Sequence, residues 1–433
     1  MNRIDKLNSG QRIAAEGFFT FLFSTDMELN IAGPGGVGKT FLMGQLIDEV
    51  MPRYFDTCKI MGIPTEYDKV VMTATTNQAA EVLGLSTGRP TEAIHTYLKL
   101  RVRQDFKTGQ EFLSATPSST DKTRTIIFID EASMICKQLR KYIKQYCSEC
   151  KVVYVGDHCQ LAPVKEQLSS VYLDNLPFFE LTEPMRNNGQ PALMKLCDQL
   201  RETVKTGVFK PIKIVPGVID WLNNQEVQEE IIKTFSVQTL DERILAYTNT
   251  QVVGCNEYIR DLRNLPYEYQ VGEQLISNSS VQLTKGGVRL SIQEEVEIKT
   301  VSTTTEMVNV SKGVDMEVRR VTLRTRIGAS LQCMLPVDRD HFAQLVKYFS
   351  DIKDWVTYFH LRETYPDLRQ RDAATVHKAQ GSTVEAVFVD VGNLSTCHDA
   401  NTVARLLYVG ATRAKQRVIL YGELSSKYGG LTY

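Results

Sequence analysis

Short runs of apolar residues alternate with longer amphipathic segments along much of the chain. The run MELNIAG at residues 27–33 precedes a glycine-rich loop and the helical pattern FLMGQLIDEV. Similar runs occupy residues 69–73, 125–129 and 151–155. Because short apolar strands that alternate with helices are typical of a parallel sheet covered on both faces, we expect an α/β fold. Ligands bind at the carboxyl ends of such strands, so the loops after these runs are candidate functional segments.

The hydrophobic pattern changes twice. Residues 95–121 are basic, aromatic and rich in Ser and Thr, which indicates a small inserted subdomain. A second α/β region begins after residue 186 and is interrupted at 272–336, where Val, Thr and Ile nearly alternate with polar residues. That alternation predicts an antiparallel barrel or sheet, followed by a helical, aromatic segment at 338–368. The α/β pattern then returns at 374–422.

Length and charge restrict the classes of protein to consider. A chain of 433 residues is too long for one hydrophobic core, so we expect two or more domains. A net charge of -1 excludes a protein that coats nucleic acid through a large positive excess. Any contact with nucleic acid must therefore be a local groove.

The cysteines and the N-terminal residues indicate a cytoplasmic protein. Nine cysteines lie far apart, mostly in apolar stretches, as is typical of free thiols in a reducing compartment. Cys147 and Cys150 form one C-x-x-C pair, but a zinc site needs a second pair of ligands and none matches. The N-terminal sequence MNRIDKLNSG lacks the apolar core of a signal peptide, and no membrane-length apolar run follows.

The sequence GPGGVGKT at residues 33–40 fits the phosphate-loop pattern G-x-x-x-x-G-K-[ST] between a strand and a helix. Backbone N–H groups of such a loop surround phosphate oxygens, and the helix N-terminus adds partial positive charge. We expect Lys39 to reach the β- and γ-phosphates and Thr40 to bind Mg²⁺. A chance glycine turn is the alternative, which the flanking strand and helix disfavour. The predicted nucleotide-binding residues here are Gly33, Pro34, Gly35, Gly36, Val37, Gly38, Lys39 and Thr40.

Two carboxylates follow the apolar strand in IIFIDEAS. Asp130 suits a hold on Mg²⁺, directly or through water, and Glu131 suits a general base for the attacking water. The alternative is an acidic helix N-cap, since acidic residues are favoured there. The presence of Lys39 in the same chain favours the catalytic interpretation.

Three polar residues in later segments are candidates for sensing the nucleotide. Gln160 in VGDHCQLAPV follows another strand and carries an amide able to sense a γ-phosphate. Arg186 in LTEPMRNN and Arg413 in LLYVGATRAKQRVIL could close on the transferring phosphoryl group from a separate domain. The alternative for both arginines is a solvated surface position.

Six segments in this order resemble motifs I to VI of superfamily-one helicases: GPGGVGKT, IIFIDEAS, VGDHCQLAPV, LTEPMRN, ATVHKAQGSTVEAVFVD and LLYVGATRAKQRV. The form HKAQGST and the compact size are most similar to the 5′-to-3′ RecD-like branch, in particular its phage-encoded Dda type. The resemblance covers nearly the whole chain. It implies an ATP-dependent DNA helicase that uses ATP and Mg²⁺, binds single-stranded and forked DNA, and works as a monomer. It also makes single-strand-binding or other replication proteins candidate partners, and the host cytoplasm the location of a phage-encoded member.

The resemblance implies roles for further residues at the nucleotide. Gln11 matches the adenine-reading glutamine of the family, with an exposed helix-start residue as the alternative. Gln160 matches the residue that couples the γ-phosphate to DNA, and the two arginines match the arginine fingers. Gly381 and Glu385 fall where motif V approaches nucleotide and DNA, although many relatives place Asp near the latter position.

The implied DNA contacts lie in motif Ia, in the element after it and in motif V. Hydroxyls, amides and backbone N–H groups that bind phosphates suit a motor that must not read sequence. Ala74 departs from the family pattern, in which proline is common at this position, and leaves the loop geometry open. The predicted DNA-binding residues are Thr73, Thr75, Asn77, His95, Thr375, His377 and Lys378.

The segment 99–122 corresponds to the subdomain that carries the strand-separating pin of these helicases. We expect Phe112 at the DNA fork, with Phe106 as the competitor; the alternative is that both rings fill the core of the subdomain. The predicted fold class is α/β, with two RecA-like parallel-sheet motor domains, an inserted pin subdomain and an inserted SH3-like β-barrel. The predicted boundaries are 1–92 and 125–188 for the first motor domain, 93–124 for the pin, 189–270 and 373–433 for the second motor domain, and 271–372 for the barrel with its helical segment.

Three other functions share some of these motifs. A single-strand translocase that displaces proteins without unwinding would share every motor motif. An RNA helicase stays open because nothing here reads a 2′-hydroxyl. A non-motor P-loop NTPase switch is disfavoured, because the motifs of the second domain would then have no purpose.

Overall fold

A computed structural model of the chain describes residues 7–163, 166–183, 190–283, 289–326 and 328–432. Arg186 lies outside these ranges. The helices of the first part are α1 (Ser9–Phe23), α2 (Lys39–Gln45), which continues through a π-helical turn (Leu46–Val50) into α3 (Met51–Met61), then α4 (Asn77–Thr87), α5 (Ile94–Tyr97) and α6 (Lys137–Tyr146). Its strands are β1 (Glu28–Ala32), β2 (Lys69–Ala74), β3 (Thr91–Ala93), β4 (Leu100–Gln104), β5 (Glu111–Ala115), β6 (Thr123–Asp130), β7 (Glu149–Gly156) and β8 (Phe178–Glu180).

The remaining elements follow from residue 190 onward. The helices are α7 (Pro191–Thr206), α8 (Asn224–Phe235), α9 (Asn249–Leu262), α10 (Arg339–Asp351), α11 (Trp355–Thr364), α12 (Val376–Ala379), α13 (Val391–Leu394) and α14 (Ala400–Thr412). The strands are β9 (Ile212–Lys213), β10 (Ile219–Leu222), β11 (Glu242–Ala246), β12 (Gln274–Ser277), β13 (Val281–Gln282), β14 (Arg289–Leu290), β15 (Glu295–Ser311), β16 (Val314–Thr325), β17 (Ser330–Pro336), β18 (Leu368–Gln370), β19 (Ala373–Thr375), β20 (Val384–Asp390), β21 (Ala414–Tyr421) and β22 (Leu431–Thr432).

The first sheet is parallel, in the order β3-β2-β6-β7-β1-β8. Its central strand β6 shows why the apolar runs lack alternation. Ile126 and Phe128 pack into one apolar cluster, whereas Ile127 and Ile129 pack into another. Successive side chains of a strand point to opposite faces, so this sheet is covered on both sides.

The second sheet is also parallel, in the order β10-β21-β20-β11-β19. Along β20, Val387 and Val389 join one cluster and Phe388 joins the other, so this sheet also has two buried faces. The α/β prediction with two parallel sheets is confirmed. Within the described ranges, no helix is both long and apolar enough to cross a bilayer.

Antiparallel sheets accompany the parallel ones. The β4–β5 hairpin lies within the predicted pin, and a five-stranded sheet, β17-β16-β15-β12-β18, lies within the predicted insertion of the second domain. A bidentate ion pair of Arg263 with Asp372, at 2.7 and 2.9 Å, joins the end of α9 to the residue just before β19. The sheet is antiparallel as expected, while its classification as an SH3-like barrel stays a prediction.

The tip of the β4–β5 hairpin contacts α11, which the sequence did not indicate. The ring of Phe106 meets that of Phe359 edge-on, with centroids 5.9 Å apart. Gly109 has φ +71°, and a Cβ atom there would lie about 2.5 Å from the indole ring of Trp355. The hairpin is therefore held against the helical part of the insertion at a point where only glycine fits.

Candidate nucleotide and nucleic-acid site

The phosphate loop joins β1 to α2. Gly38 adopts φ +77°, a left-handed conformation that side chains disfavour, and turns the backbone into the helix. The Lys39 Nζ donates to the carbonyl oxygens of Gly33 at 2.7 Å and Pro34 at 2.9 Å. The ammonium group is therefore already held over the loop, where phosphate oxygens can replace the carbonyl groups as its acceptors. Thr40 follows at the start of the helix and is half-buried.

Gln11 braces the phosphate loop from α1. Its side chain is buried; Nε2 donates to the Val37 carbonyl oxygen at 3.1 Å, and Oε1 accepts from the Asn8 N–H at 3.2 Å. The second bond belongs to a capping box at the start of α1. The alternative of an exposed helix-start residue is therefore wrong. Contact with adenine stays a prediction.

Asp130 and Glu131 lie at the carboxyl end of β6. Asp130 Oδ1 accepts from the Glu131 N–H at 2.9 Å, and Glu131 has φ +54°. Only a short 3-10 turn follows, and the Glu131 side chain makes no capping hydrogen bond to it. Glu131 therefore does not cap a helix through its side chain. Burial raises the pKa of both carboxyl groups; their proximity raises that of Glu131 further, while Lys39 lowers both.

The second α/β domain supplies the opposite side of this site. Arg413 is buried at the end of α14, where its guanidinium donates to the carbonyl oxygens of Val409 at 3.1 Å and Ser382 at 2.9 Å. Its charge lowers the pKa of Glu131, whose Oε1 lies 3.9 Å from the position of a Cβ on Gly381. The surface alternative for Arg413 is therefore wrong. The predicted arginine and both carboxylates belong to one cleft.

A hydrogen bond crosses this cleft directly. Gln380 Nε2, from motif V in the second domain, donates to the Ser133 Oγ in the first at 3.0 Å. Glu385 lies apart from these contacts. It pairs with Lys415 at 2.8 Å at the start of neighbouring strands, and within the described residues no hydrogen bond or ion pair joins it to the phosphate loop.

Asp157, in the loop after β7, forms a second contact between the domains that the sequence did not identify. Its carboxylate is fully buried. Oδ2 accepts from the Tyr408 hydroxyl at 2.6 Å, whereas Oδ1 accepts from Arg201 and from the Cys159 N–H. Because Arg201 lies on α7 and Tyr408 on α14, two helices of the second domain hold one carboxylate of the first.

Gln160 lies three residues further along the same loop. Its backbone carbonyl oxygen accepts from Arg405 on α14, which also donates to the His158 carbonyl oxygen at 2.7 Å. The Gln160 side chain is buried, and no donor within the described residues reaches its Oε1. A buried amide oxygen without a donor is costly, so it is a candidate for contact with a ligand.

One signal in the sequence could have revealed these contacts. Arg405 and Tyr408 lie in the apolar segment VARLLYVGA, which is buried throughout in α14. A charged group in such a segment needs polar partners, because an unpaired buried charge is costly. The pattern therefore requires partners, but only the structure identifies the loop after β7 as their source.

The predicted DNA contacts of the first domain differ in accessibility. Thr73 is fully buried, and its hydroxyl donates to the Phe128 carbonyl oxygen at 2.8 Å inside the sheet. Thr75 donates to the Glu131 carbonyl oxygen at 3.2 Å. Asn77 is exposed and donates to the Ser291 hydroxyl of the insertion at 3.0 Å. His95 is half-buried, and burial lowers its pKa. The hydroxyl groups of Thr73 and Thr75 are thus bonded to the neighbouring strand β6 and the residue after it, whereas Asn77 is exposed and bonded to the insertion.

The motif V residues lie together at the start of α12. The Thr375 hydroxyl caps the helix by accepting from the Lys378 N–H at 3.3 Å. Burial lowers the pKa of His377, whose ring lies 6.4 Å from that of Tyr247. The Lys378 Nζ donates to the Asn278 side chain, and burial, with the nearby Arg369, lowers its pKa. Of the two predicted pin residues, Phe112 is 42% exposed, and Phe106 has one edge against α11.

Comparisons with known proteins find relatives over nearly the whole chain. The family model described as an AAA domain matches residues 6–212, and that of the UvrD-like helicase C-terminal domain matches residues 372–421. The ATP-dependent DNA helicase dda of Enterobacteria phage T4 is 23% identical over 96% of this chain and 99% of its own.

Two solved structures share the fold. A Pif1 helicase from Bacteroides, in complex with ADP-AlF3 and ssDNA, is 12% identical and gives a TM-score of 0.51 over 97% of this chain and 94% of its own. The Pif1 helicase from Candida albicans is 16% identical and gives a TM-score of 0.51 over 99% of this chain and 96% of its own. At this level of identity, the likeness shows the fold.

Proposed function

We propose that the chain is a superfamily-one helicase of the Dda and Pif1 kind, an ATP-dependent DNA helicase that moves 5′ to 3′ on single-stranded DNA and unwinds duplexes. One observation carries the proposal: Glu131 of one parallel-sheet domain lies near Lys39 of the phosphate loop and also near Arg413 and Gly381 of the other domain. A nucleotide that contacts two domains can bias their relative position. An NTPase switch with a single domain does not need residues of a second domain at its nucleotide site.

The chemical roles follow from the groups around the loop. In this proposal, Lys39 binds the terminal phosphates, and Thr40 and Asp130 offer the hydroxyl and carboxylate oxygens that Mg²⁺ prefers. Glu131 accepts the proton of the attacking water, a role that suits a carboxylate whose pKa is raised by burial and by its acidic neighbour. The bound Mg²⁺ would supply charge stabilisation at the phosphates.

Three further residues are proposed to complete the reaction and to respond to it. Arg413 stabilises negative charge on the transferring phosphoryl group, with Arg186 as the proposed second finger. Gln160 responds to the γ-phosphate by donating its side-chain amide N–H to a phosphate oxygen, while its unpaired amide oxygen can accept from the attacking water. Loss of that phosphate removes contacts shared by both walls, so the cleft opens, and the loop that carries Asp157 transmits the change.

The β4–β5 hairpin is the proposed pin that separates the strands. Phe112, which is 42% exposed on β5, suits the contact with the fork; Phe106 is 53% exposed, but its ring already packs against Phe359. An exposed, rigid aromatic face can replace the stacking partner that a parting base pair loses. The contact of the hairpin tip with Trp355 supports such rigidity.

The nucleotide proposal is tested by steady-state ATP hydrolysis with and without oligothymidylate. We expect strong stimulation by DNA in the wild type and loss of hydrolysis in Lys39→Ala. Full activity in this variant, or DNA-independent activity in the wild type, would contradict the proposal. Equal stimulation by RNA would favour an RNA helicase.

Unwinding and direction are tested with tailed duplexes. We expect separation of a duplex with a 5′ tail, and in Phe112→Ala a slower separation with ATP hydrolysis retained. Unwinding only from a 3′ tail would contradict the proposed direction. Displacement of a bound protein without separation of any duplex would favour the translocase alternative.

We further propose a monomer that acts in the cytoplasm, which is the host cytoplasm if a phage encodes the chain. Both walls of the nucleotide site come from one chain, which supports a monomer. All nine cysteines are free thiols, which fits a reducing compartment. Single-strand-binding or other replication proteins are the candidate partners.

A further inference from the structure

A cleft of about 290 Å³ lies between the antiparallel sheet and helices α10 and α11, away from the nucleotide site. Its lining includes the aromatic rings of Tyr269, Phe342 and Tyr365 and the guanidinium groups of Arg339 and Arg362. Aromatic faces beside arginines are the combination by which proteins hold the bases and phosphates of single-stranded nucleic acid. The cleft therefore has the chemistry of a nucleotide subsite.

The carboxylate that lines the cleft is already neutralised. Asp367 pairs with Arg369 through Oδ2 at 2.9 Å and through Oδ1 at 3.1 Å. It also accepts a hydrogen bond from the Asn278 side chain at 2.5 Å. The negative charge of Asp367 is therefore compensated by Arg369, which also lines the cleft.

Two guanidinium groups keep their charge unpaired. Arg339 donates to the Tyr269 hydroxyl at 3.3 Å and to the Tyr267 carbonyl oxygen at 2.8 Å. Arg362 donates to the Tyr358 hydroxyl at 2.9 Å. In the part of the chain that the structure describes, neither arginine has a carboxylate partner. The occupant that complements this cleft is therefore an anion with an apolar or aromatic part.

Asn278 connects the cleft to the predicted DNA contacts of motif V. Its Oδ1 accepts from the Lys378 Nζ, while its Nδ2 faces Asp367 in the cleft. Asn278 and Arg369 also line the smaller pocket that contains Thr375 and Lys378. A strand bound at Lys378 therefore has the cleft directly beside it.

We propose that this cleft is an additional subsite for single-stranded DNA, which takes an unpaired base beside the Phe342 ring and the flanking phosphates on Arg339 and Arg362. This inference rests on the proposed function, because the strand that reaches the cleft is the one on which the motor moves. Stacking accepts every base, so the subsite adds grip without reading sequence. An acidic protein segment also matches the charge, but continuity with Lys378 favours DNA.

Two variants test the subsite by different means. Arg362→Ala removes one unpaired charge on α11. Ala343→Trp places an indole in the cleft from an exposed position of α10 and leaves the charge unchanged. Lys312→Ala is the matched control, since it removes one exposed positive charge at the turn between β15 and β16, outside the cleft.

The readout is fluorescence anisotropy with oligothymidylates of two lengths over a salt series. We expect a strand of roughly eight nucleotides to occupy the motor channel alone, so all variants should bind it like the wild type. With a strand about twice as long, Arg362→Ala and Ala343→Trp should bind about 5- to 100-fold more weakly. Arg362→Ala should also reduce the slope of log K against log salt by about 0.7, the value for one lost phosphate contact.

The outcomes separate this inference from the proposed function. If both variants bind the long strand as tightly as Lys312→Ala does, the subsite is refuted and the motor proposal stands. Unchanged DNA binding together with lost binding of a polyglutamate peptide would refute it in favour of an acidic protein partner. If neither strand stimulates ATP hydrolysis by the wild type, the proposed function itself fails.

Discussion

Replacing Tyr408 by phenylalanine removes one oxygen atom from the contact between the two motor domains. The Tyr408 side chain is 1% exposed, and its hydroxyl donates to the Asp157 Oδ2 at 2.6 Å. Asp157 is fully buried, and among the described residues no other donor reaches this oxygen. Arg201 and the Cys159 N–H satisfy Oδ1 alone. The substitution therefore leaves half of a buried carboxylate without a partner while the ring keeps its volume.

The expected magnitude follows from the charge on Asp157. A hydrogen bond to a charged group contributes about 1.5 to 3 kcal/mol, which is about 10- to 150-fold in the equilibrium it stabilises. Tyr408 belongs to the second domain and Asp157 to the first. The lost hydrogen bond therefore destabilises the arrangement in which the two domains are in contact. We expect the kcat for DNA-stimulated ATP hydrolysis to fall by about tenfold. The KM for ATP should change less, because the phosphate loop keeps all its contacts.

The assay compares Tyr408→Phe with Tyr428→Phe in steady-state ATP hydrolysis at saturating oligothymidylate, with thermal unfolding recorded for both. Tyr428 is 2% exposed, and its hydroxyl donates to the Cys397 carbonyl oxygen at 2.9 Å within the second domain. That neutral bond contributes about 0.5 to 1.5 kcal/mol and spans no domain contact. Equal kcat values for the two variants would refute a role of the Asp157 contact in closure.

Three further substitutions test other contacts. Gln11→Ala should raise the KM for ATP several-fold, because the Val37 carbonyl in the phosphate loop loses its donor; a KM equal to that of the wild type would argue against this brace. Lys151→Met should lower the free energy of unfolding by about 1 to 3 kcal/mol in urea denaturation, because the carbonyl oxygens of Ser24 and Asp26 lose the buried ammonium group that donates to them. An unchanged midpoint of urea denaturation would show that these two hydrogen bonds do not stabilise the fold. Trp355→Ala should slow duplex unwinding and leave DNA-stimulated ATP hydrolysis intact, since it frees the hairpin tip at Gly109; equal loss of both activities would point to general misfolding.

The sequence by itself determined the parts of the site that are continuous along the chain. The phosphate loop at 33–40 and the acidic pair after β6 are local patterns, whose residue types and spacing predict a nucleotide site without knowledge of the fold. The apolar runs located the central strands to within two residues, as β2 at Lys69–Ala74 and β7 at Glu149–Gly156 show. The hydrophobic periodicity of a segment depends on the geometry of one helix or strand, so it can be recognised from the sequence without the rest of the fold.

Only the tertiary structure decided which distant groups meet. Tyr408 and Asp157 are 251 positions apart, and their hydrogen bond depends on how α14 packs against the loop after β7. The same holds for the hairpin tip against Trp355, and for Thr73, whose hydroxyl the sheet itself uses. A pattern of apolar residues shows which face of an element is buried, but the partner of that face is set by the packing of many elements at once. The coupling between the motor domains therefore could not be predicted from the motifs that form them.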